Sequence, residues 1–385
     1  MIFLGPLFRR EQEITILGNT PSKTIQNQAN SFQWNVIGGL RDNGINDIKI
    51  VNVLPVGTFP RGYNKLVLKD SRWDRNNIEI GSPNLPFIKQ YVRYKKIKKL
   101  LKNIHDETII IYSTYLPFLK AVSKLSNDVT VVLIVTDLPE YYDLAKTSAV
   151  KAFFRKQNNK KIYKYLERID KYVLLTEQMK ERLPVGDKKC AIVEGIIGDI
   201  KEAEPHDVKD KFIITYCGTL NFQFGIKHLV DSVVALENEK IELHLFGNGD
   251  AVDYINEVSS NNSNIVFHGF VSKNEIEDFY KKTHLLVNPR NNEGEYTKYS
   301  FPSKTMEYML SGIPFLGYRL DGIPREYYDY INIIENDTDS MQEKIEEVFA
   351  NYAFYSEKAM KGRAFIIENK NRKAQGEKII NLIKN

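Results

Sequence analysis

Short runs of Val, Ile and Leu alternate along the chain with longer stretches whose apolar residues recur at helical spacing. That alternation predicts parallel sheets joined by crossover helices. In the first half the predicted strands are 1–4, 49–54, 108–112, 129–135, 172–175 and 191–194. A second series follows at 212–217, 241–246, 264–267, 284–288 and 313–318. Between the two series, 199–211 (DIKEAEPHDVKDK) is polar, holds a proline and lacks periodicity, so it reads as an interdomain linker. The pattern predicts an α/β protein of two doubly wound domains, 1–198 and 212–360. A chain of 385 residues is long enough for two separate cores.

In open α/β sheets, ligands sit beyond the carboxyl ends of the strands. Applied here, that rule selects Gly5, Ser113, Thr136, Asp137, Thr176 and Glu177 in the first half. In the second half it selects Gly218, Thr219, Gly247, Gly249 and Arg290.

Charge separates the halves further. Residues 1–200 carry 32 Lys and Arg against 20 Asp and Glu, a net +12, while 201–385 carry 22 against 29, a net −7. A basic half attracts polyanions such as acidic lipid, lipid pyrophosphate or nucleic acid. Two runs concentrate the charge: 89–102 has seven basic and no acidic residues, and 146–171 has nine basic and two acidic, interrupted by Phe153 and Phe154. In the first run Tyr94, Ile97, Leu101 and Ile104 are spaced to share one face. Either these are solvated helix backs over a core stripe, or they attach the protein to anionic lipid with Phe153 and Phe154 inserted. No nucleic-acid recognition motif accompanies the charge, so nucleic acid is not the partner this reading favours.

No apolar run approaches the roughly 18 to 20 residues of a membrane-spanning helix. The N-terminal apolar stretch precedes its positive charges, the reverse of a secretory signal, which places the protein in the cytoplasm. Cys190 and Cys217 lie in separate β-like runs and read as reduced core residues.

Two segments carry chemistry. In 212–230, FIITYCGTLNFQFGIKHLV, Gly218 permits a tight turn after a strand, and amides near Gly225 at a helix start are able to receive a phosphate. Such turns also occur as purely structural devices. In 284–318, HLLVNPRNNEGEYTKYSFPSKTMEYMLSGIPFLGY, a strand runs into a polar loop, a helix and another strand. Pro302 and Ser303 mark the helix start, with Ser303 able to cap it; Gly312 and Pro314 end it. Lys304 then lies where a diphosphate is well held, and Glu307 follows in the first turn. A carboxylate there accepts from two vicinal ribose hydroxyls, or simply complements the helix dipole.

The run SFPSKTMEYMLSGIPFL (300–316) resembles the donor-binding signature of retaining GT-B glycosyltransferases of family 4, especially those building bacterial surface polysaccharides. CGTLNFQFGIKHLVDSV, LHLFGNGD, IVFHGFVSKNEIEDFY, KYVLLTEQMKERL and IVEGIIG support it in chain order. The resemblance implies two Rossmann-like domains, an acceptor-binding first domain, a donor-binding second domain, and a final helix, 361–385, returning to the first. It implies a nucleotide-sugar donor as co-substrate, transfer with retention, and no metal. The basic half fits a lipid-linked saccharide acceptor at the inner face of the cell membrane. Glu307 matches the second glutamate of the family's two-glutamate motif and would hold the donor ribose; Gly218 and Gly225 match the phosphate-turn and helix-start glycines.

The departures are specific. Tyr299 stands where strict spacing puts the first glutamate, and Glu293 is six residues away. Thr219 and Phe224 replace the usual arginine and lysine, so Lys304 and Arg290 are the candidate replacement cations. Asp137 follows Thr136 where the family often has His-Asp, and would take the acceptor hydroxyl's proton, orient the acceptor, or only cap a loop. Asp337-Thr338-Asp339 fits a metal-binding pattern of another transferase fold but lies in a polar turn. The missing first glutamate and cations leave open a second class, a non-catalytic partner of GT-B type that binds a nucleotide sugar or steadies another transferase.

Overall fold

The computed structural model describes residues 1–385 except 24, 142–148, 199, 201, 204–207, 209, 293 and 336–339; the side chains of 149–151 are likewise outside the description. Two compact units emerge, Met1–Gly198 with Asn371–Asn385, and Asp199–Lys370.

The first unit holds β1 (Ile2–Gly5), β2 (Lys49–Asn52), β3 (Val67–Leu68), β4 (Ser71–Arg72), β5 (Ile78–Glu79), β6 (Ser82–Pro83), β7 (Thr108–Tyr112), β8 (Thr130–Val135), β9 (Lys171–Leu174) and β10 (Cys190–Ile192). Its main sheet runs β10-β9-β8-β7-β1-β2-β5-β4, parallel except for the β4–β5 edge. The central strands TIIIY and TVVLIV are buried almost throughout, as strands covered on both faces must be.

The C-terminal helix Arg372–Lys384 completes this unit, placing Ile379, Ile380 and Leu382 in the same core as Phe3, Ile37 and Ile110. It crosses helix Asn27–Asp42 so closely that a Cβ on Gly39 or Gly376 would collide with the other helix's backbone. Lys171 Nζ donates to the carbonyls of Leu382 and Ile383 at 2.9 and 2.8 Å, placing a cation at the negative end of the helix. The return therefore begins at Asn371. Residues 361–370, assigned to it from the sequence, belong to the second unit, where helix Tyr352–Asn369 runs on without a break.

The second unit is a six-stranded parallel sheet: β11 (Phe212–Thr219), β12 (Ile241–Asn248), β13 (Ile265–Gly269), β14 (Leu285–Asn288), β15 (Phe315–Tyr318) and β16 (Asn332–Ile334), in the order β13-β12-β11-β14-β15-β16. Every strand the pattern predicted is present; the short β3–β6 and β16 are additional.

The first basic run forms helix Ile88–Leu100, whose inward face differs from the predicted stripe. Tyr94 and Ile104 are only half-buried, and the buried positions are Lys89, Arg93, Ile97 and Leu101, spaced by four. Two cations point inward because carbonyls await them. Lys89 Nζ donates to Val56 O at 2.5 Å, and Arg93 Nη2 to Leu54 O at 3.0 Å. Burial, with Arg93 adding repulsion, lowers the Lys89 pKa to about 7. Cys190 and Cys217 are free and half-buried. Among the described residues no helix is long and apolar enough to cross a membrane.

Candidate active site

The floor of the site is glycine because two backbones meet there. Gly218 and Gly247 are register partners at the carboxyl ends of β11 and β12. A Cβ on Gly247 would collide with Gly218 O, and its φ of +137° is one that side chains rarely adopt. A Cβ on Gly249 would strike Leu220 O. The following loops are laced together: Phe222 N donates to Asp250 Oδ1 at 2.8 Å, and Asp250 N to Asn221 Oδ1 at 3.0 Å.

Two helices start at this edge without a side-chain cap. Gly225, left-handed at φ +78°, opens Ile226–Ala235 and lies against Pro289 O, where a Cβ would not fit. Helix Ser303–Ser311 opens on Pro302. Ser303 is thus its first helical residue and makes no cap bond, contrary to the sequence expectation, because the capping position falls one residue earlier on a proline ring. In the second helix Thr305 N already donates to Pro302 O at 2.9 Å, so the amides before it are the ones that would face an anion.

Lys304 is half-buried; its Nζ donates to Cys217 O and lies 5.6 Å from the Tyr216 ring centre. A Cβ on Gly218 would meet that same Nζ, so the absent side chain is what makes room for the ammonium. Arg290 places its guanidinium 4.8 Å from the Tyr296 ring centre and donates from Nη2 to Ser300 Oγ at 3.2 Å, while its Nε is buried without a partner. Burial lowers the Arg290 pKa, with Tyr296 and Tyr216 opposing. A guanidinium stays charged through such a shift.

Glu307 is exposed and accepts from the buried Tyr280 hydroxyl at 3.2 Å. It is the fifth residue of its helix, and the first turn contains no acidic residue. The sequence expectation placed it in that turn. The earlier start of the helix, capped at Pro302 and not Ser303, carries it past the first turn, beyond the reach of simple dipole stabilisation. Burial raises the Cys217 thiol to about 11; Lys304 lowers it and Glu307 raises it, so both charges act on one carbonyl neighbourhood. Burial likewise pushes the Tyr216 phenol well up, and its hydroxyl donates to Thr219 O at 3.0 Å.

The structure thus brings Gly218, Thr219, Gly225, Gly247, Arg290, Ser303, Lys304 and Glu307 to one unit, at strand ends and helix starts. Thr219 and Ser303 are exposed. Asp137 belongs to the other unit, just past β8. Its side chain reaches solvent, yet desolvation by the surrounding protein raises its carboxyl pKa against a hydrogen bond with Thr136. Tyr299, in the position of the family's first glutamate, is buried. Glu293 and Asp337-Thr338-Asp339 lie outside the described residues. Tyr280 and Tyr216 were not anticipated; no spacing ties either to the motif, since Tyr280 ends a helix on another strand crossover.

Comparison with solved structures fixes the fold. TarM superposes with a TM-score of 0.58 at 16% identity over 86% of this chain, which spans just under two thirds (66%) of TarM. The lipopolysaccharide outer core galactosyltransferase WaaB gives 0.61 at 15% identity, covering 100% of this chain and 98% of its own. HepE of Anabaena, solved in complex with UDP, gives 0.63 at 10% identity over 100% and 99%. The fold is that of the GT-B glycosyltransferases.

Sequence family adds to this. Residues 211–351, within the second unit, match the model described as Glycosyl transferases group 1. No curated protein matches it by sequence.

Proposed function

We propose that the protein transfers a sugar from a nucleotide diphosphate donor, with retention at the anomeric carbon, to a hydroxyl of a lipid-linked saccharide. The work would belong to surface polysaccharide synthesis at the anionic inner face of a cell membrane. The observation that carries the donor half is one arrangement: exposed Glu307 one turn above an uncapped helix start, with Lys304 held over the Gly218 floor.

In this reading Glu307 accepts from the donor ribose hydroxyls, oriented by Tyr280. Lys304, Arg290 and the amides at Ser303 and Gly225 meet the diphosphate. Their fixed positive charge stabilises the negative charge that grows on the leaving group, the strongest means of acceleration open to a site of this kind. These groups take the place of a metal. Asp137 receives the acceptor hydroxyl's proton or orients the acceptor, and its raised pKa suits a base better than an ordinary aspartate's would. The UDP in the HepE complex supports a nucleotide donor, and the galactosyltransferase WaaB supports a saccharide acceptor. The net +12 of residues 1–200 supports a lipid acceptor on an anionic surface.

Buried Tyr299 favours the second reading, a nucleotide-sugar-binding partner without its own chemistry. Transfer assays with radiolabelled UDP-, GDP- and dTDP-sugars on membrane lipid extracts, with and without a chelator, decide between them. Chelator-insensitive transfer lost in Asp137→Asn with donor binding intact supports the enzyme; donor binding without turnover by the wild type supports the partner.

A further inference from the structure

The first unit carries a cluster of exposed apolar side chains that its own packing does not use. Phe87 is 79% exposed, Phe153 59% and Phe154 56%; Ile88 and Tyr91 are also exposed. They are one surface. The Phe87 and Phe154 rings are 6.4 Å apart between centres, and Phe153 meets Phe154 edge-on at 5.9 Å. Ile88 follows Phe87 in the chain, and Tyr91 lies four residues after Phe87, within reach of the same helix face.

Phe87 is held outward at a conformational cost. Its φ of +61° lies in the left-handed region, which a bulky side chain avoids, and it opens helix Ile88–Leu100 without capping it. Its ring meets that of Phe154 and otherwise faces solvent. Strain at an exposed aromatic points to an external use.

Along the two helices that carry the patch the charge has one sign. Helices Ile88–Leu100 and Ala149–Leu166 contain no acidic residue. Lys95, Lys98 and Lys99 are exposed on the first, and Lys156, Lys160, Lys161 and Lys164 on the second. Of the neighbouring carboxylates, Asp70 is held by Lys96 at 2.6 Å and Glu140 accepts from the Tyr163 hydroxyl at 2.7 Å. An aromatic cluster bordered by lysines matches the bilayer interface, where rings settle at headgroup depth and cations meet anionic lipid.

We propose that Phe87, Ile88, Tyr91, Phe153 and Phe154 form a membrane-seating surface that enters the interface of an anionic bilayer, with the lysines of the two helices on its headgroups. The proposal deepens the reading of a membrane-borne acceptor and rests on it, but its test is separable. Phe87 lies before one helix and Phe154 on an exposed face of another, so the melting temperature checks the fold and the site in the other unit checks nucleotide-sugar binding separately.

The full chain is sedimented with phosphatidylglycerol-rich vesicles and with phosphatidylcholine vesicles. The wild type binds the former and not the latter. Phe87→Ser with Phe154→Ser loses roughly tenfold or more in partitioning, the scale of removing two interfacial rings. Phe354→Ser, an exposed aromatic in the second unit, changes nothing. Thermal shift by nucleotide sugar stays at the wild-type value in all variants. In Phe154→Trp, added emission that shifts to the blue with anionic vesicles locates the ring in the interface. Wild type that ignores anionic vesicles overturns both the seating surface and the membrane reading. Binding that survives the double substitution overturns the seating surface alone. Self-association that vanishes in the double variant while vesicle binding persists would assign the patch to a second copy instead.

Discussion

The Tyr280 hydroxyl donates to Glu307 Oε1 at 3.2 Å across 27 positions of sequence, joining the end of one crossover helix to the second turn of another. Tyr280 is buried and its pKa is raised well above the ordinary phenol value, first by desolvation and then by Tyr308 and Glu307, so the proton stays on the tyrosine. The bond fixes one oxygen of a residue that is otherwise exposed.

Replacing that donor should loosen the carboxylate without removing it. Tyr280→Phe is expected to weaken donor binding by about 1 kcal/mol, the net scale of one hydrogen bond, whereas Glu307→Ala costs about 2 kcal/mol or more. Isothermal titration with the cognate nucleotide sugar reads both. Equal affinities for Tyr280→Phe and the wild type would show that the bond positions nothing.

The glycine floor separates a structural from a functional substitution. At Gly247 a new Cβ meets the backbone carbonyl of Gly218, which cannot retreat, and Gly247→Ala should destabilise by about 2–4 kcal/mol. At Gly218 the obstruction is the mobile tip of Lys304. Gly218→Ala, strained by a φ of +158° but facing no backbone, should therefore cost less than Gly247→Ala, about 1–2 kcal/mol in stability, while displacing the ammonium and weakening donor binding. Urea unfolding beside donor titration distinguishes the two patterns.

The two cations should act together on the diphosphate. Lys304→Ala or Arg290→Ala alone is expected to reduce donor affinity about tenfold, with the double variant about a hundredfold lower, on the scale of 1.4 kcal/mol per decade. Free nucleoside, lacking phosphates, should bind the wild type and the double variant equally. An unchanged diphosphate affinity in the double variant would remove both residues from the site.

A pH signature arises away from the site. His244 Nδ1 and His268 Nε2 are 2.9 Å apart, stacked with Phe246 and Phe279 around them. Burial lowers both pKa values; Glu242 raises His244 in part, and Lys282 lowers both. Each folded-state pKa lies below the unfolded value of 6.5, so the folded protein binds fewer protons in that window. The stabilisation is complete above pH 6.5 and is lost as pH falls through the folded pKa values. Melting temperatures between pH 7.5 and 5 should fall, and His244→Phe with His268→Phe should flatten that slope.

Much of this fold is written in periodicity. Runs such as TVVLIV and TIIIY declare buried parallel strands because both faces need apolar cover, and Gly312 with Pro314 fixes the end of helix Ser303–Ser311. The two-residue strands between 67 and 83 were not legible, since a pair of residues has no period. Nor was the inward turn of Lys89 and Arg93: a cation reads as solvent-facing until the carbonyls of Leu54 and Val56 are seen opposite it. Of the candidate site, the glycines and Glu307 came from the motif. Tyr280 did not, because a contact across a sheet crossover leaves no local trace.

We propose that Glu307 and Lys304 mark a nucleotide-sugar site. The most direct test of that assignment is a thermal-shift panel of UDP-, GDP- and dTDP-sugars on the wild type and on Glu307→Ala. At about a hundred times its dissociation constant, the cognate donor should stabilise the wild type by roughly 2.7 kcal/mol. A clear shift should appear with one nucleotide series and largely disappear in Glu307→Ala at the same concentration. A shift of equal size in both proteins would contradict it, placing the donor somewhere other than against this carboxylate.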